Sequence, residues 1–194
     1  MRNQPCYDIE GNPIGWLSRS ACVVTLVVAK VAGKYYVLAS QRGKGTPDPE
    51  FVGSWNLCCG YLDYNETLRH AAARELFEET GVIVKPDNLV FYKINEDPFG
   101  DKRQNITFRY FYLLKRDYLP TTTNSYSETD EVEKIEWIPV EKVNNFKWAF
   151  NHKELVNEML NYYIFKNNLS LWQRISTKVK NMKSKLVKKV VNSL

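Results

Sequence analysis

The first long hydrophobic pattern in the chain is a run of apolar and β-branched residues at 21–31, which predicts a buried strand. Ala32-Gly33 is a turn signal, and residues 34–42 predict the strand that returns beside the first. Residues 43–54 are rich in glycine and proline, as expected of a loop. The apolar stretch at 55–59 predicts a further short strand. The first part of the chain is therefore expected to form a β-sheet.

The spacing of apolar residues becomes helical near residue 67. Thr67 can cap the start of a helix, and Gly81 lies where a glycine commonly ends one, so residues 67–80 predict a helix. Beyond it, strands are predicted at 88–95, 105–114 and 132–140, and a second helix at 151–165. Strands mixed with two helices predict an α/β or α+β fold around a mixed β-sheet.

The end of the chain differs from the rest in charge and in periodicity. Ser170 and Gln173 match a capping box, and apolar residues then recur every three or four positions, which predicts an amphipathic helix. The chain has 27 basic and 22 acidic residues, and seven of the basic residues but none of the acidic ones lie at 173–194. The predicted organisation is a domain at 1–168 and a basic C-terminal helix at 169–194.

Lysines opposite an apolar stripe are compatible with several partners. Such a helix can lie in a membrane interface or approach nucleic acid. The interpretation we favour is a helix that packs on the domain, or on a second copy of the chain in a homodimer, with its lysines in water. Outside this helix, nothing in the sequence indicates a nucleic-acid partner.

The composition argues against several classes of protein. No apolar run reaches the roughly 20 residues that span a bilayer, and the first residues lack the apolar core of a secretory signal. The four cysteines include no CxxC pair, and the chain has only two histidines, so zinc-finger spacing is absent. We therefore expect a cytoplasmic protein with free thiols.

The first predicted helix carries charges that are unfavourable for an isolated helix. Glu75, Glu78 and Glu79 are spaced i, i+3 and i+4, so their carboxylates share one face and repel each other. Two of them also lie in the last turn, where the helix dipole disfavours negative charge. A solvated acidic face is one interpretation. A bound divalent cation is the other, because clustered carboxylates suit Mg²⁺ or Mn²⁺.

The surrounding spacing favours the metal interpretation. Gly60, Glu66 and the run at 74–82 fit the pattern GX5EX7REUXEEXGU at every fixed position, where U is a bulky aliphatic residue. A chance match has a probability on the order of 10⁻⁹ or less per starting position. The chain therefore resembles the Nudix hydrolases over residues 60–82.

The resemblance implies an α/β/α sandwich around a mixed sheet, and cleavage of a pyrophosphate in a nucleoside diphosphate linked to another moiety. It also implies roles for the matching residues. Arg74 would orient a carboxylate through charged hydrogen bonds, and Glu66 would support the loop or the metal shell. The implied ligands of Mg²⁺, or of Mn²⁺, are the carbonyl of Gly60 and the carboxylates of Glu75, Glu78 and Glu79.

The sequence offers several candidates for the general base. In this family the base is a box glutamate, such as Glu75 or Glu78, or a glutamate of a later loop. Glu128 and Glu131 are the candidates in the loop. A solvated acidic turn is an equally good interpretation of these last two residues.

Candidate substrate contacts follow the box. Arg103 and Arg109 can meet a phosphate, although Arg109 alternates with apolar residues and is expected to face solvent, and Phe99 can stack on a base. Pro98 favours an ADP-ribose-like substrate, because ADP-ribose-cleaving relatives often have a proline near this position. A pyrophosphatase of nucleoside triphosphates or oxidised nucleotides is an alternative. A nucleotide-sensing regulator is another, but the intact box argues against it.

One departure from the family pattern precedes the box. Relatives usually have proline and glycine before the first box glycine, where this chain has Cys58-Cys59. Cys59 lacks the freedom of glycine at positive φ. We expect both cysteines to be small apolar residues of a strand that leads into the site, and not redox groups.

Overall fold

The computed structural model describes residues 4–97, 99, 104–126 and 130–165. The chain divides into two compact units, Met1–Lys153 and Glu154–Leu194. The strands within the described residues are β1 (Gln4–Tyr7), β2 (Pro13–Leu17), β3 (Ala21–Val31), β4 (Lys34–Arg42), β5 (Trp55–Asn56), β6 (Cys58–Tyr61), β7 (Val90–Asn95), β8 (Ile106–Lys115) and β9 (Val132–Pro139). The helices are α1 (Leu68–Thr80) and α2 (His152–Leu160), with 3₁₀ turns at Pro49–Phe51, Pro86–Asn88 and Val140–Asn145 and a π-helical turn at Asn161–Phe165.

The predicted elements are largely confirmed. The strands predicted at 21–31 and 34–42 are β3 and β4 with the same limits. The Thr67 side chain caps α1, and Gly81 ends it in the left-handed region at φ 72°, as the sequence predicts. The antiparallel hairpin of β1 and β2 has no counterpart in the sequence prediction, because its short strands carry no regular apolar alternation.

Seven of the described strands form one mixed sheet, which confirms the predicted fold class. Strands β5, β4, β3, β8 and β7 follow one another, while β6 pairs with β3 and β9 pairs with β4. β3 and β8 are parallel, and the other pairs in the sheet are antiparallel. β3 is buried from Val23 to Ala29, so both of its faces are covered.

The segment at 55–61 lies between two strands that diverge. β3 and β4 pair only near their connecting turn, from Val31 opposite Lys34 to Val28 opposite Val37. Beyond that point β5 pairs with the end of β4, and β6 pairs with the start of β3. The strand predicted at 55–59 is therefore interrupted at residue 57, where the segment changes partner. This change brings β6 beside α1, with which it is in contact.

Two side chains bind the backbone of Leu57 at this change of partner. The N–H of Leu57 donates to Nδ1 of His152 at 3.1 Å, and the side-chain amide of Asn56 donates to the carbonyl of Leu57 at 2.9 Å. All three residues are buried. A buried backbone N–H or carbonyl without a hydrogen-bond partner raises the free energy of the folded state. His152 and Asn56 therefore stabilise the segment where it passes from β4 to β3.

The core of the first unit lies between α1 and one face of the sheet. Ala71, Ala72 and Leu76 of α1 are fully buried there, together with Val23, Val27, Leu38, Cys58 and Tyr110 of the sheet and Val82, Val84 and Leu89 of the segment that follows α1. Small alanines on this side of the helix allow it to approach the sheet closely. The acidic residues of α1 are consequently directed along the edge of this core, toward β6.

The second half of the chain is only partly described. The helix predicted at 151–165 is confirmed as α2 and the π-helical turn that follows it. The predicted C-terminal helix at 169–194, and with it the domain boundary and the face expected to meet the domain or a second copy, lies outside the described residues. Across the described part of the chain, no helix has the length and apolar character needed to cross a membrane.

The buried imidazole of His152 makes the stability of the fold depend on pH. Burial, together with the positive charges of Arg109 and Arg42, lowers the pKa of His152 from 6.5 to about 3. The unfolded chain therefore binds one more proton than the folded chain below about pH 6.5, and the free energy of unfolding decreases as the pH falls toward 3. Between pH 7 and pH 5 we expect a loss of about 2 kcal/mol from this residue, measured by urea unfolding.

The variants His152→Gln and His70→Gln separate this residue from other titrating groups. His70 is the only other histidine in the chain, and it is exposed. We expect His152→Gln to lose about 2 kcal/mol of the wild-type difference in unfolding free energy between the two pH values. His70→Gln leaves the buried imidazole in place and is the variant with which it is compared. An unchanged difference in His152→Gln would contradict a neutral buried imidazole.

Candidate active site

Two carboxylates of α1 lie against the backbone of β6. Glu75 contacts Gly60, and Glu79 accepts a hydrogen bond from the N–H of Cys59 at 3.2 Å. The two glutamates are one helical turn apart, so they lie along the same side of the helix. The helix and the short strand together place two acidic side chains beside two consecutive peptide groups.

Arg74 connects Glu75 to two further carboxylates of the box, those of Glu66 and Glu78. Its guanidinium donates to Glu66 at 2.7 and 3.2 Å, to Glu75 at 2.8 Å and to Glu78 at 3.0 Å. It also donates to the carbonyl of Tyr61 at 3.0 Å. These contacts, with the hydrogen bond to Glu66 first, raise the pKa of Arg74 further above its usual range. The arrangement is the one expected of a residue that orients carboxylates.

Glu66 joins the loop before α1 to the helix. Its Oε1 accepts a hydrogen bond from the N–H of Asp63 at 2.8 Å, and both of its oxygens bind Arg74. The hydrogen bond from Arg74 is the main reason that the pKa of Glu66 lies below its ordinary value. Glu66 therefore links the loop to Arg74, and which of its two predicted roles it has, support of the loop or of the metal shell, stays a prediction.

Glu79 and Glu75 have raised pKa values for the same physical reason. Burial raises the pKa of Glu79 from 4.5 to about 8, and the charge of Glu75 adds to this effect. The hydrogen bonds from Cys59 and from the hydroxyl of Ser40, at 3.2 Å, act in the opposite direction. Burial also raises the pKa of Glu75, and Arg74 opposes it. Two desolvated carboxylates so close together favour a positive charge beside them.

Gly60 provides the space that Glu75 occupies. A Cβ built on Gly60 would overlap the whole carboxylate of Glu75. The φ of Gly60 is not positive, so the position needs glycine for its lack of a side chain and not for its conformational freedom.

The donor set fits a hard divalent cation. Carboxylate and backbone carbonyl oxygens, as provided by Glu75, Glu79 and Gly60, are the ligands that Mg²⁺ and Mn²⁺ prefer. Glu78 is more exposed, with 40% of its side chain accessible, and is held by Arg74. Within the described residues, no three acidic, histidine or cysteine side chains converge on one point. Glu75 and Glu78 share the guanidinium of Arg74, whereas Glu79 binds Cys59 and Ser40. That the three glutamates act together as metal ligands stays a prediction.

The cysteines are residues of the strand, as predicted. Cys58 is buried in the core beneath α1, and burial raises the pKa of both Cys58 and Cys59 well above the ordinary value, so both thiols stay protonated. The φ of Cys59 is not positive, so replacing the usual glycine introduces no backbone strain. All four cysteines of the chain are free thiols.

The expectation that Arg109 faces solvent is wrong. Arg109 is only 6% exposed and lies in the middle of β8, opposite Val24 of β3. Its charge contributes to lowering the pKa of His152. The central strands of this sheet are buried on both faces, so the alternation of polar and apolar residues along β8 does not distinguish core from solvent.

Two of the other predicted site residues, Phe99 and Glu131, are described by the structure, and both are exposed. Phe99 is 94% exposed. Glu131 is exposed and directly precedes β9, and its carbonyl accepts a hydrogen bond from the N–H of Gly43 at 2.7 Å. Arg103 and Glu128 lie outside the described residues. Of the two that are described, neither Phe99 nor Glu131 has a described contact with the carboxylate pair, and the predicted roles of all four stay predictions.

The loop before Glu131 is attached to the end of α1. The N–H of Thr123 donates to the carbonyl of Thr80 at 2.9 Å, and the ring of Tyr126 stacks on Phe77 with centroids 4.3 Å apart. Thr123 and Tyr126, on one side of the loop, are therefore held by α1. Glu131, on the other side, is held by Gly43 of the loop after β4.

Two residues of the site are not predicted by the sequence analysis, namely Ser40 and Asn56. Ser40 is 0% exposed and Asn56 is 3% exposed, and the hydroxyl of Ser40 contacts both Asn56 and Glu79. The signal in the sequence is weak, since a serine within an apolar strand usually has no special role. Only the pairing of β4 with β5 reveals that the two side chains meet.

Comparisons with known proteins agree with these features. A family model described as the NUDIX domain matches residues 18–159. The chain is 38% identical over 116 residues to the 8-oxo-(d)GTP phosphatase of Mycolicibacterium smegmatis, covering 53% of this chain and 32% of that protein. It is 28% identical over 136 residues to Nudix hydrolase 6 of Arabidopsis thaliana, covering 70% of this chain and 41% of that protein. The chain thus spans less than half the length of these two relatives.

Solved structures share the fold at low sequence identity. The NUDIX domain of Shewanella oneidensis NrtR, complexed with ADP ribose, has a TM-score of 0.61 and 21% identity over 80% of this chain and 93% of that one. A bifunctional NMN adenylyltransferase/ADP ribose pyrophosphatase from Francisella tularensis, complexed with AMP and a Mn ion, has a TM-score of 0.58 and 22% identity over 75% of this chain and 42% of that one. With the family model matching most of the chain and the box residues arranged as described, the chain belongs to the Nudix family.

Proposed function

We propose that the protein is a metal-dependent pyrophosphohydrolase that cleaves a nucleoside diphosphate linked to another moiety. The observation that carries this proposal is the pair of buried carboxylates, Glu75 and Glu79, held against β6 within an intact Nudix box. A structural role alone does not account for them, because two buried acidic groups one turn apart destabilise a helix.

The contacts of each residue suggest its part in the reaction. Glu75, Glu79 and the carbonyl of Gly60 would hold Mg²⁺ or Mn²⁺, with Glu78 as a further ligand. When bound, the cation screens the charge of the diphosphate and acidifies water. Arg74 keeps Glu75 and Glu78 oriented through its hydrogen bonds. A glutamate then accepts the proton of the attacking water, and the candidates are the box glutamates together with Glu131 and Glu128.

For the substrate we propose an ADP-ribose-like molecule. The solved structures that share this fold include one complexed with ADP ribose and one named as an ADP ribose pyrophosphatase, which supports this class. A pyrophosphatase of oxidised nucleotides is the second candidate, because the Mycolicibacterium smegmatis relative is named as an 8-oxo-(d)GTP phosphatase. Both substrates place a pyrophosphate next to a nucleoside, so the same metal site would serve either.

Removing one ligand charge tests the metal-dependent reaction. We expect Glu78→Gln and Glu79→Gln each to lower kcat/KM for Mg²⁺-dependent release of nucleoside monophosphate by about 100-fold or more, since a bound cation supplies several kcal/mol of transition-state stabilisation. Circular dichroism should show a retained fold. Full activity in both variants would refute the proposal.

Glu131→Gln and Glu128→Gln serve as matched variants outside the box. A lower kcat with unchanged affinity for Mn²⁺ would identify one of them as the general base. Wild-type kcat in both would confine the base to the box.

Gly60→Ala tests the close approach of Glu75 to β6. The added Cβ would displace the Glu75 carboxylate, which is the end of a flexible side chain, so the fold should persist while the ligand moves. A shift of about 1 Å in a catalytic group lowers the rate by about 100-fold, and we expect a loss of this size in kcat/KM. Gly15→Ala is the control, because a Cβ at Gly15 meets open space. Equal activity of the two variants would argue against a functional role for this contact.

A substrate screen tests the proposed specificity. We expect ADP-ribose to give a higher kcat/KM than NADH, dinucleoside polyphosphates, nucleotide sugars or 8-oxo-dGTP, with no turnover after treatment with EDTA. The products of pyrophosphate cleavage are measured with Mg²⁺ and with Mn²⁺: the nucleoside monophosphate and its counterpart, which is ribose 5-phosphate from ADP-ribose and inorganic pyrophosphate from 8-oxo-dGTP. A preference for 8-oxo-dGTP would favour the second candidate, and turnover in EDTA would contradict the metal requirement.

A further inference from the structure

The hydroxyl of Ser40 lies between the carboxylate of Glu79 and the side-chain amide of Asn56. Its Oγ is 3.2 Å from Oε2 of Glu79 and 3.0 Å from Oδ1 of Asn56. The hydroxyl has a single proton, so these two oxygens share it or compete for it when Glu79 is ionised. Ser40 and Asn56 are both buried, so water does not replace these contacts. Ser40 is two residues beyond Leu38, on the face of β4 that packs beneath α1.

Asn56 is fixed by the change of strand partner at Leu57. It is the register partner of Ser40 in the pairing of β4 with β5. Its Nδ2 donates to the carbonyl of Leu57 at 2.9 Å and lies 3.6 Å from Sγ of Cys59. Because the amide nitrogen is committed to these acceptors, Oδ1 is directed at Ser40. The backbone at the strand crossing thus determines where the hydroxyl of Ser40 is held.

The second oxygen of Glu79 is bound from another strand. Oε1 accepts the N–H of Cys59 in β6, while Oε2 contacts Ser40 in β4. A carboxylate held at both oxygens by two different strands cannot rotate freely about its last bond. Beside a cation Glu79 would be ionised, and hydrogen bonds to an ionised carboxylate are about twice as strong as neutral ones, so they would orient it firmly.

We propose that Ser40 is a positioning residue that fixes the carboxylate of Glu79 for a divalent cation by donating its proton to Oε2. The pairing of Ser40 with Asn56 between β4 and β5 keeps the hydroxyl within reach of Glu79. This inference rests on the proposed function, because it takes Glu79 to be a metal ligand. Ser40 acts through Glu79 alone. Partners of this kind, which hydrogen-bond a ligand and not the metal, change metal affinity by about 10- to 100-fold when they are lost.

The test measures binding of Mn²⁺ to the full-length protein without substrate, by electron paramagnetic resonance. We expect Ser40→Ala to raise the Kd for Mn²⁺ by about 10-fold. Ser40→Cys keeps nearly the same volume with only a weak donor, so it should weaken binding to a similar extent without leaving a cavity. Ser54→Ala is the matched control, because Ser54 is also 0% exposed and its hydroxyl has no hydrogen-bond partner in the described part of the chain. It should bind Mn²⁺ like the wild type.

Thermal unfolding of each variant separates positioning from a general structural role. A lower Tm with unchanged Kd for Mn²⁺ in Ser40→Ala and Ser40→Cys would overturn the inference, as would an equal loss of affinity in Ser54→Ala. If Ser40→Ala does not fold, Ser40→Cys decides the question. In the enzymatic assay, the Ser40 variants should need about 10-fold more Mg²⁺ for half-maximal rate.

Glu79→Gln distinguishes this inference from the function on which it rests. If Glu79→Gln loses Mn²⁺ and the Ser40 variants keep it, the metal site stands and only the role of Ser40 is refuted. If Glu79→Gln binds Mn²⁺ as tightly as the wild type, Glu79 is not a ligand and the proposed function fails together with the inference.

Discussion

The structure around the box depends on holding two acidic side chains of one helical turn in a buried place. Glu75 and Glu79 repel each other there, and burial makes their charge still less favourable. Each is met by separate donors, namely Arg74 for Glu75 and the N–H of Cys59 with the hydroxyl of Ser40 for Glu79. One guanidinium shared among several carboxylates does not neutralise them all. The excess of negative charge that remains when both are ionised is the physical basis of the proposed metal site.

This arrangement is possible because the sheet brings a short strand to the helix. β6 reaches α1 only after the chain leaves β4 and joins β3. Asn56 takes part in the strand crossing, where it donates a hydrogen bond to the carbonyl of Leu57. It also contacts Ser40, which in turn contacts Glu79. The stability of the strand crossing and the geometry of the carboxylates therefore share residues, and a change at Asn56 affects both.

Local rules of sequence explain which parts of this structure are predictable. Thr67 and Gly81 mark the ends of α1 because capping depends on neighbouring residues only, and the box glutamates follow from spacing along one helix. Ser40 is not predictable, because its role arises from pairing between β4 and β5, which are separated by a loop. Arg109 is misassigned for a related reason: whether a polar residue of a strand meets solvent depends on what covers the sheet, which no local pattern specifies.

The crossing at Leu57 has a consequence for how this chain can vary in length. Successive residues of a strand face opposite sides, so removing one residue between Asn56 and Gly60 would exchange the two faces of β6. A side chain would then occupy the space opposite Glu75, and the N–H that binds Glu79 would point elsewhere. Cys58 and Cys59 stand where the resemblance to the family implies proline and glycine, so they differ in identity and not in number. Divergence in this stretch is therefore expected to proceed by substitution, with insertions and deletions confined to the loops on either side.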